Sequence, residues 1–286
     1  MKCLDPRLTP ARPDLAAAHL RGHVEADLYV EGRLMQVTTG LADLRQAPSH
    51  EAAIDTQALH GEAVTLYENE EGWGWVQLAR DGYVGYIAMT ALGEGPPAPT
   101  HHVKVNRTFV YPRPDVKLPA FDALPLGAAV SVSSTAGGFA RIAAGFIFAD
   151  HLALVGELEK DFVDVAERLL HAPYLWGGKS SLGVDCSGLV QISLGAAGID
   201  APRDTDLQER ALGRMLEPEL AHGETLEGLR RGDIVFWRGH VGVMRDDALL
   251  LHANAHHMLV SSEPLACARD RILAKTGATI TAIKRL

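Results

Sequence analysis

Apolar and polar positions alternate in short runs from residue 34 to 91, and this period of two predicts β-strands. "AVTLYE", "GWVQLA" and "YVGYIA" read as strands, with "RDGY" as a tight turn. "LGEGPPAPT", residues 92–100, is rich in proline and glycine and reads as a linker. Beyond it the same texture returns over 103–155, in "AVSVSS", "FARIAA" and "GFIFAD". The two stretches also resemble each other. Gly61-Glu62-Ala63-Val64 answers to Gly127-Ala128-Ala129-Val130 at an offset of 66. "GWGWVQLARDGYVGYIAMTAL" aligns with "GFARIAAGFIFADHLAL" after a short deletion. Self-similarity at one offset predicts a duplicated small β module, and about five short strands per copy suit a small barrel.

From residue 157 the period lengthens. "ELEKDFVDVAERLLHA" carries Phe162, Val163, Val165, Ala166, Leu169 and Leu170 at helical spacing. "CSGLVQISLGAAG" reads as a second helix ending at Gly198, and "TDLQERALGRML" as a third. "GDIVFW", "HVGVMR", "ALLLHAN" and "ITAIKRL" then read as strands. Helices followed by antiparallel strands predict an α+β domain. The expected division is a lead-in over 1–33, a first β module over 34–92, a linker over 93–100, a second module over 101–155 and the α+β domain over 156–286. Within the lead-in, Leu8–Val30 is read as a helix packed on the first module or as a dimer contact, and oligomeric state is left open.

A chain of 286 residues that is 47% hydrophobic and 22% charged builds its core without staples. Its formal charge of −9 makes nucleic acid and anionic membranes poor partners. Three cysteines, Cys3, Cys186 and Cys267, form no disulfide framework and suit a reducing compartment. The N-terminal stretch lacks the apolar run of ~7–15 residues of a secretory signal. No window reaches the ~18 apolar residues of a membrane span. The expected location is the cytoplasm.

Cys186 stands where the polar, glycine-containing "GGKSSLGVD" meets an apolar run. The loop delivers it to a predicted helix N-terminus, where unpaired N–H groups and the helix dipole favour a thiolate. Gly188 is read as leaving room beside the sulfur. A free cysteine is as readily a small buried apolar residue. What favours chemistry is a pair of histidines. His240 leads into one predicted strand and His252 ends the next, twelve residues on. On neighbouring strands, one imidazole can take the Cys186 proton while the other orients it. His256 and His257, in a polar turn, are bystanders. Zinc is the competing chemistry for one cysteine and two histidines, but no CxxC or HExxH spacing supports it, so no metal is expected. Cys3 and Cys267 are given no chemistry.

"APYLWGGKSSLGVDCSGLVQ", "APRDTDLQ", "GDIVFWRGHVGVM" and "LLHANA", in that order over 157–286, resemble the NlpC family of papain-like cell-wall peptidases. The resemblance implies a papain-like NlpC-type fold, no cofactor, and hydrolysis of the γ-D-glutamyl–diamino acid bond of murein peptides. It makes Cys186 the nucleophile, His240 the general base and His252 the residue that orients it. Tyr174 matches a tyrosine lining the site. Asp185 and Ser187 match residues that hold substrate, as do Asp204 and Thr205. A core aromatic at Tyr174 and a plain helix N-cap at Asp204 are the competing structural readings.

The layout of two small β modules before the peptidase is similar to the dipeptidyl-peptidase type, whose modules resemble bacterial SH3-like domains. That type trims murein peptides during recycling, and its first module captures a free N-terminal amine of L-Ala-γ-D-Glu. An ammonium removed from water needs an acidic partner. Glu51 and Asp55 are the candidates, undecided between them, with Tyr83 pointing into the cleft or serving the barrel core. Two rivals stand beside this reading: an endopeptidase or amidase acting on intact wall, and a binding protein over a dead catalytic domain. The choice between diaminopimelate and lysine in the substrate is left open.

Overall fold

The structure is a computed structural model that describes residues 4–95, 98–216 and 228–286; Cys3 lies outside the described residues. The chain divides into two compact units, Met1–Glu157 and Leu158–Leu286.

In the first unit the lead-in is not a helix. Leu15–Ala17 (β1) pairs in parallel with Leu28–Val30 (β2) around a single 3-10 turn. Pro6, Pro10 and Pro13 break any helical ladder there. The segment is strapped to the first module instead. The Val84 amide donates to the Arg7 carbonyl, Gln77 Nε2 to the Leu8 carbonyl, and Arg12 Nη1 to Glu68 and Tyr86 Oη.

That module is one antiparallel sheet of Arg33–Val37 (β3), Leu41–Arg45 (β4), Ile54–Leu59 (β5), Ala63–Glu70 (β6), Trp73–Leu78 (β7), Val84–Ala88 (β8) and Leu92–Gly93 (β9). The strands run in the order β5-β4-β8-β7-β6-β3-β9. Alternation puts Val64 and Leu66 of β6, Val76 and Leu78 of β7, and Ile87 of β8 into one core.

The rest of the unit is a second set of short strands: His101–Val103 (β10), Arg107–Val110 (β11), Asp122–Pro125 (β12), Ala129–Val130 (β13), Ser134–Ala136 (β14), Phe139–Arg141 (β15), Phe146–Phe148 (β16) and Leu152–Leu154 (β17). They form three ladders, β13-β10-β17, β11-β12 and β14-β15-β16, around Val103, Leu124, Val130 and Ile147. The offset of 66 reappears as hydrogen bonds. Gly61 N donates to Val37 O and Val37 N to Glu62 O; Gly127 N donates to Val103 O and Val103 N to Ala128 O. Gly61 and Gly127 take φ of 84° and 83°, a left-handed turn that favours glycine.

The second unit mixes helices and sheet. Phe162–Glu167 (α1) is capped by Asp161, whose carboxylate accepts from the Val163 amide. It is shorter than the apolar spacing predicts: Leu169 and Leu170 close i−3 turns and His171 takes φ 69° on the approach to Pro173. The hairpin Lys179–Ser180 (β18) and Gly183–Val184 (β19) leads into Cys186–Ala196 (α2), and Thr205–Ala211 (α3) follows. Arg214–Met215 (β20), Ile234–Trp237 (β21), His240–Met244 (β22), Leu249–Asn254 (β23), Leu259–Pro264 (β24) and Ile280–Arg285 (β25) make an antiparallel sheet ordered β20-β25-β21-β22-β23-β24. Leu265–Thr276 (α4), between β24 and β25, is an element the hydrophobic pattern did not announce.

β21 is buried at every position because both faces are covered. Ile234 and Phe236 meet Val190 and Leu194 of α2; Val235 and Trp237 share a cluster with Leu265 and Ala268 of α4. Among the described residues no helix is long and apolar enough to cross a membrane.

Candidate active site

Asp185 is the N-cap of α2, and Cys186 is the helix's first residue. The Asp185 carboxylate accepts from the amides of Gly188 at 2.7 Å and Gly177 at 2.9 Å. Arg203 grips it from the other side, Nη1 to Oδ1 at 3.0 Å and Nη2 to Oδ2 at 2.6 Å. Ser187 Oγ donates to Asp185 and accepts from Arg203 Nη1 at 2.7 Å. Both residues are buried, and their polar atoms are engaged by the protein's own groups. Gln208 of α3 completes the frame by donating to the Ser187 and Pro202 carbonyls.

The room at Gly188 serves the backbone more than the sulfur. A Cβ there would stand 2.3 Å from the Gly178 carbonyl oxygen and 2.9 Å from Asp185 Oδ1. Close packing of the "GG" loop against the helix start therefore demands glycine.

Cys186 is buried against β22 in a cluster with Val241, the residue after His240. Burial pushes its thiol up to about 11, and the Asp185 charge adds to this. The Val241 amide and the Thr205 hydroxyl work the other way, favouring the thiolate. The helix N-terminus alone predicts a lowered thiol; the structure reverses that expectation because desolvation outweighs the dipole.

The two histidines meet. His240 Nε2 lies 2.8 Å from His252 Nδ1, with the rings edge-on. Gly242 makes space for His252: a Cβ at Gly242 would lie 3.1 Å from that of His252. His252 is fully buried, and its Nε2 lies 2.8 Å from Glu263 Oε1 on β24. Arg271 of α4 holds both Glu263 oxygens, Nη2 to Oε1 at 2.5 Å and Nη1 to Oε2. Burial would raise the Glu263 carboxyl, but the bonds from His252 and Arg271 hold it well below the usual range. Burial, His252 and Arg271 push His240 down to about 3. Burial also lowers His252, against the pull of Glu263.

These partners settle the tautomers by elimination. Glu263 is an ionised acceptor, so His252 Nε2 carries a proton and donates. In neutral His252 the other nitrogen, Nδ1, then accepts. His240 Nε2 is therefore the donor to it, and His240 Nδ1 keeps a free lone pair. An imidazole set this way is a base at Nδ1.

Tyr174 is half-buried. Burial raises its hydroxyl pKa, and charge on Cys186 and Asp185 adds to the rise. Thr205 is buried at the start of α3, and Asp204 takes the N-cap position without a side-chain cap bond. In the first unit, Asp55 and Tyr83 line one pocket of about 450 Å³. Tyr83 is also 4% exposed within the core of its module, the core role raised for it. Glu51 lies outside that pocket on an exposed turn, its amide donating to Ser49 Oγ. Of the candidate residues, Cys186, His240, His252, Tyr174, Asp185, Ser187, Asp204 and Thr205 fall in the second unit, and Tyr83, Glu51 and Asp55 in the first. Sequence reasoning missed Arg203, Glu263 and Arg271. The only local trace of Arg203 was its place in "PRDT". Among the described residues no group of three His, Cys, Asp or Glu is arranged to hold a metal.

Residues 44–92 match the bacterial dipeptidyl-peptidase SH3 domain and residues 171–273 the NlpC/P60 family. Dipeptidyl-peptidase 6 of Lysinibacillus sphaericus is 30% identical over 138 residues, 48% of each chain, so the match spans about half of that relative. The gamma-D-glutamyl-L-lysine dipeptidyl-peptidase of Bacillus subtilis (strain 168) is 27% identical over 228 residues, 70% of this chain and 72% of that one. The crystal structure of an NlpC/P60 family protein from Bacillus cereus shares the fold, with a TM-score of 0.73 at 18% identity over 88% of this chain and 99% of that one. Residues 171–273 thus form an NlpC/P60 domain, the domain of a family of cysteine peptidases, and residues 44–92 a bacterial dipeptidyl-peptidase SH3 domain.

Proposed function

We propose that this chain hydrolyses the γ-D-glutamyl–diamino acid bond of murein stem peptides that carry a free N-terminal L-Ala, releasing L-Ala-γ-D-Glu. The observation that carries the reading is the chain of hydrogen bonds from Glu263 through His252 to His240, next to the residue that packs on Cys186.

In this mechanism the resting pair is a neutral thiol and a neutral imidazole, since burial raises one and lowers the other. His240 Nδ1 takes the proton as Cys186 Sγ attacks the γ-carbonyl carbon of D-Glu. The backbone N–H groups at the start of α2 face the developing oxyanion. The C–N bond breaks as the His240 imidazolium protonates the leaving amine. Water, deprotonated by the same imidazole, then hydrolyses the thioester. Asp185 and Ser187 fix the nucleophile's loop through Arg203, and Tyr174, Thr205 and Asp204 frame the acyl side. The dipeptidyl-peptidase SH3 match supports the free-amine requirement, and Asp55, in the pocket with Tyr83, is a better acid for the ammonium than Glu51. The proposal includes recycling of released wall peptides in the reducing cytoplasm, where Cys186 stays a free thiol.

The test is incubation with L-Ala-γ-D-Glu-meso-diaminopimelate and with its N-acetylated form. Cleavage of the free-amine peptide alone is expected, abolished by Cys186→Ala. Equal cleavage of both overturns the amine requirement. No cleavage of either by folded protein overturns the peptidase reading.

A further inference from the structure

A pocket of about 680 Å³ opens beside the histidine pair, between the β21–β22 turn and α4. His240 and His252 line it; Cys186 does not. It therefore reaches the proposed base without being lined by the nucleophile. The general acid that protonates the leaving amine must touch that amine, so whatever the amine carries lies beside His240, which this pocket reaches.

The lining has one sign of charge. Arg238, Arg271 and Lys275 contribute cations, and no carboxylate lines the pocket. Arg271 is neutralised by Glu263 behind the wall. Arg238 is exposed on the turn and has no hydrogen-bond or ion-pair partner among the described residues. Lys275 Nζ lies 3.1 Å from His256 Nδ1, which uses one of its three N–H donors and leaves two. Trp237, 1% exposed, also lines the pocket, and its indole N–H has no acceptor among the described residues. The pocket thus gathers two cations with N–H donors to spare and a buried unsatisfied donor.

We infer that this pocket receives the diamino acid of the leaving peptide and selects, through Arg238 and Lys275, a side chain that ends in a carboxylate. The inference rests on the proposed function and names its substrate class. Diaminopimelate ends in an ammonium and a carboxylate with no net charge, so it offers the acceptor these donors lack. The α-carboxylate is common to both residues; the lysine side chain ends in an ammonium alone, which two cations repel. The chain should therefore prefer diaminopimelate peptides to lysine peptides.

The experiment compares kcat/KM for L-Ala-γ-D-Glu-meso-diaminopimelate and L-Ala-γ-D-Glu-L-lysine, in the full chain and in a variant carrying Arg238→Gln with Lys275→Gln. Both side chains are exposed, so the variant should fold; its thermal transition checks this. A preference of about tenfold for diaminopimelate is expected, the size of one charge-assisted hydrogen bond at a wet site. It should shrink in high salt and fall toward one in the double variant. Equal rates on the two peptides, a lysine preference, or a diaminopimelate preference that survives the double substitution overturns this inference and leaves the peptidase reading standing. Failure of the folded chain to cleave either peptide overturns the peptidase reading, and this inference with it.

Discussion

Glu263 offers the sharpest test of the relay, because it touches neither nucleophile nor substrate. Its carboxylate accepts from His252 Nε2 at 2.8 Å and from both arms of Arg271. Glu263→Gln keeps the size and removes the charge. A glutamine amide has one acceptor and one donor end. Facing its oxygen to His252 points its NH2 toward Arg271, and the reverse orientation sets donor against donor at His252. A hydrogen bond to a charged group contributes about 1.5–3 kcal/mol. At about 1.4 kcal/mol per decade, its loss in the transition state, where His240 holds the proton, lowers kcat by roughly 10- to 150-fold. KM should change little, since Glu263 lies behind the histidines. The assay is steady-state cleavage of the tripeptide, with ring-nitrogen NMR of labelled histidine as a second readout. The wild-type spectrum should show His240 protonated at Nε2 and bare at Nδ1. Arg271→Gln, which spares the carboxylate, should cost only a few-fold. A Glu263→Gln enzyme within twofold of wild type in kcat, or a wild-type His240 bare at Nε2, would refute the reasoning.

Three further outcomes follow from the same geometry. Asp185→Asn breaks a buried pair with Arg203, both side chains under 10% exposed, and should destabilise the fold by about 3–5 kcal/mol in denaturant titration; a loss below about 1 kcal/mol contradicts the scaffold role. With the Cys186 thiol pushed up to about 11, its alkylation by iodoacetamide in the ligand-free enzyme should rise about tenfold per pH unit between pH 6 and 9; a rate already flat at neutral pH means a preformed thiolate. Burial pushes His240 from 6.5 to about 3, so the unfolded chain binds its proton first. This contribution to stability is complete above about pH 6.5 and is lost progressively as pH falls toward 3, where the His240→Phe variant should show a shallower acid dependence of the thermal midpoint.

What the sequence disclosed was local. The polar-to-apolar switch at Cys186 marked a helix start, and α2 begins at that residue. His240 and His252 were placed on adjoining strands by period alone, and β22 and β23 pair as expected. What it concealed depends on tertiary partners. Arg203 looks like one surface arginine among many until Asp185 is found across from it, eighteen residues earlier. Glu263 sits in "SSEP", where nothing local separates it from a solvated acid. Its function comes from strand pairing, which sets β24 beside β23, and from α4, which brings Arg271 eight residues back onto it. α4 itself buries only Leu265 and Ala268, too narrow a stripe to signal a helix. In the lead-in, rich in proline, alanine and leucine, a packed helix or a dimer contact was expected, but prolines and hydrogen bonds to the first module decided for an extended strap.

The reversed thiol ties these points together. A helix N-terminus gives a cysteine only a partial positive charge, screened within a turn. Burial of the sulfur beside the Asp185 carboxylate outweighs it, and burial drives His240 toward neutrality as well. Both shifts favour the neutral thiol and the neutral imidazole, and in the proposed mechanism reactivity arises when the substrate arrives. That places the demand on the base: its lone pair must already face the sulfur, since an imidazole presenting N–H to a thiol takes no proton. Of the two His240 nitrogens, the one bonded to His252 is fixed as the donor by a carboxylate two steps removed. In the proposed mechanism the distant Glu263 therefore does the work that a lowered cysteine pKa would do elsewhere.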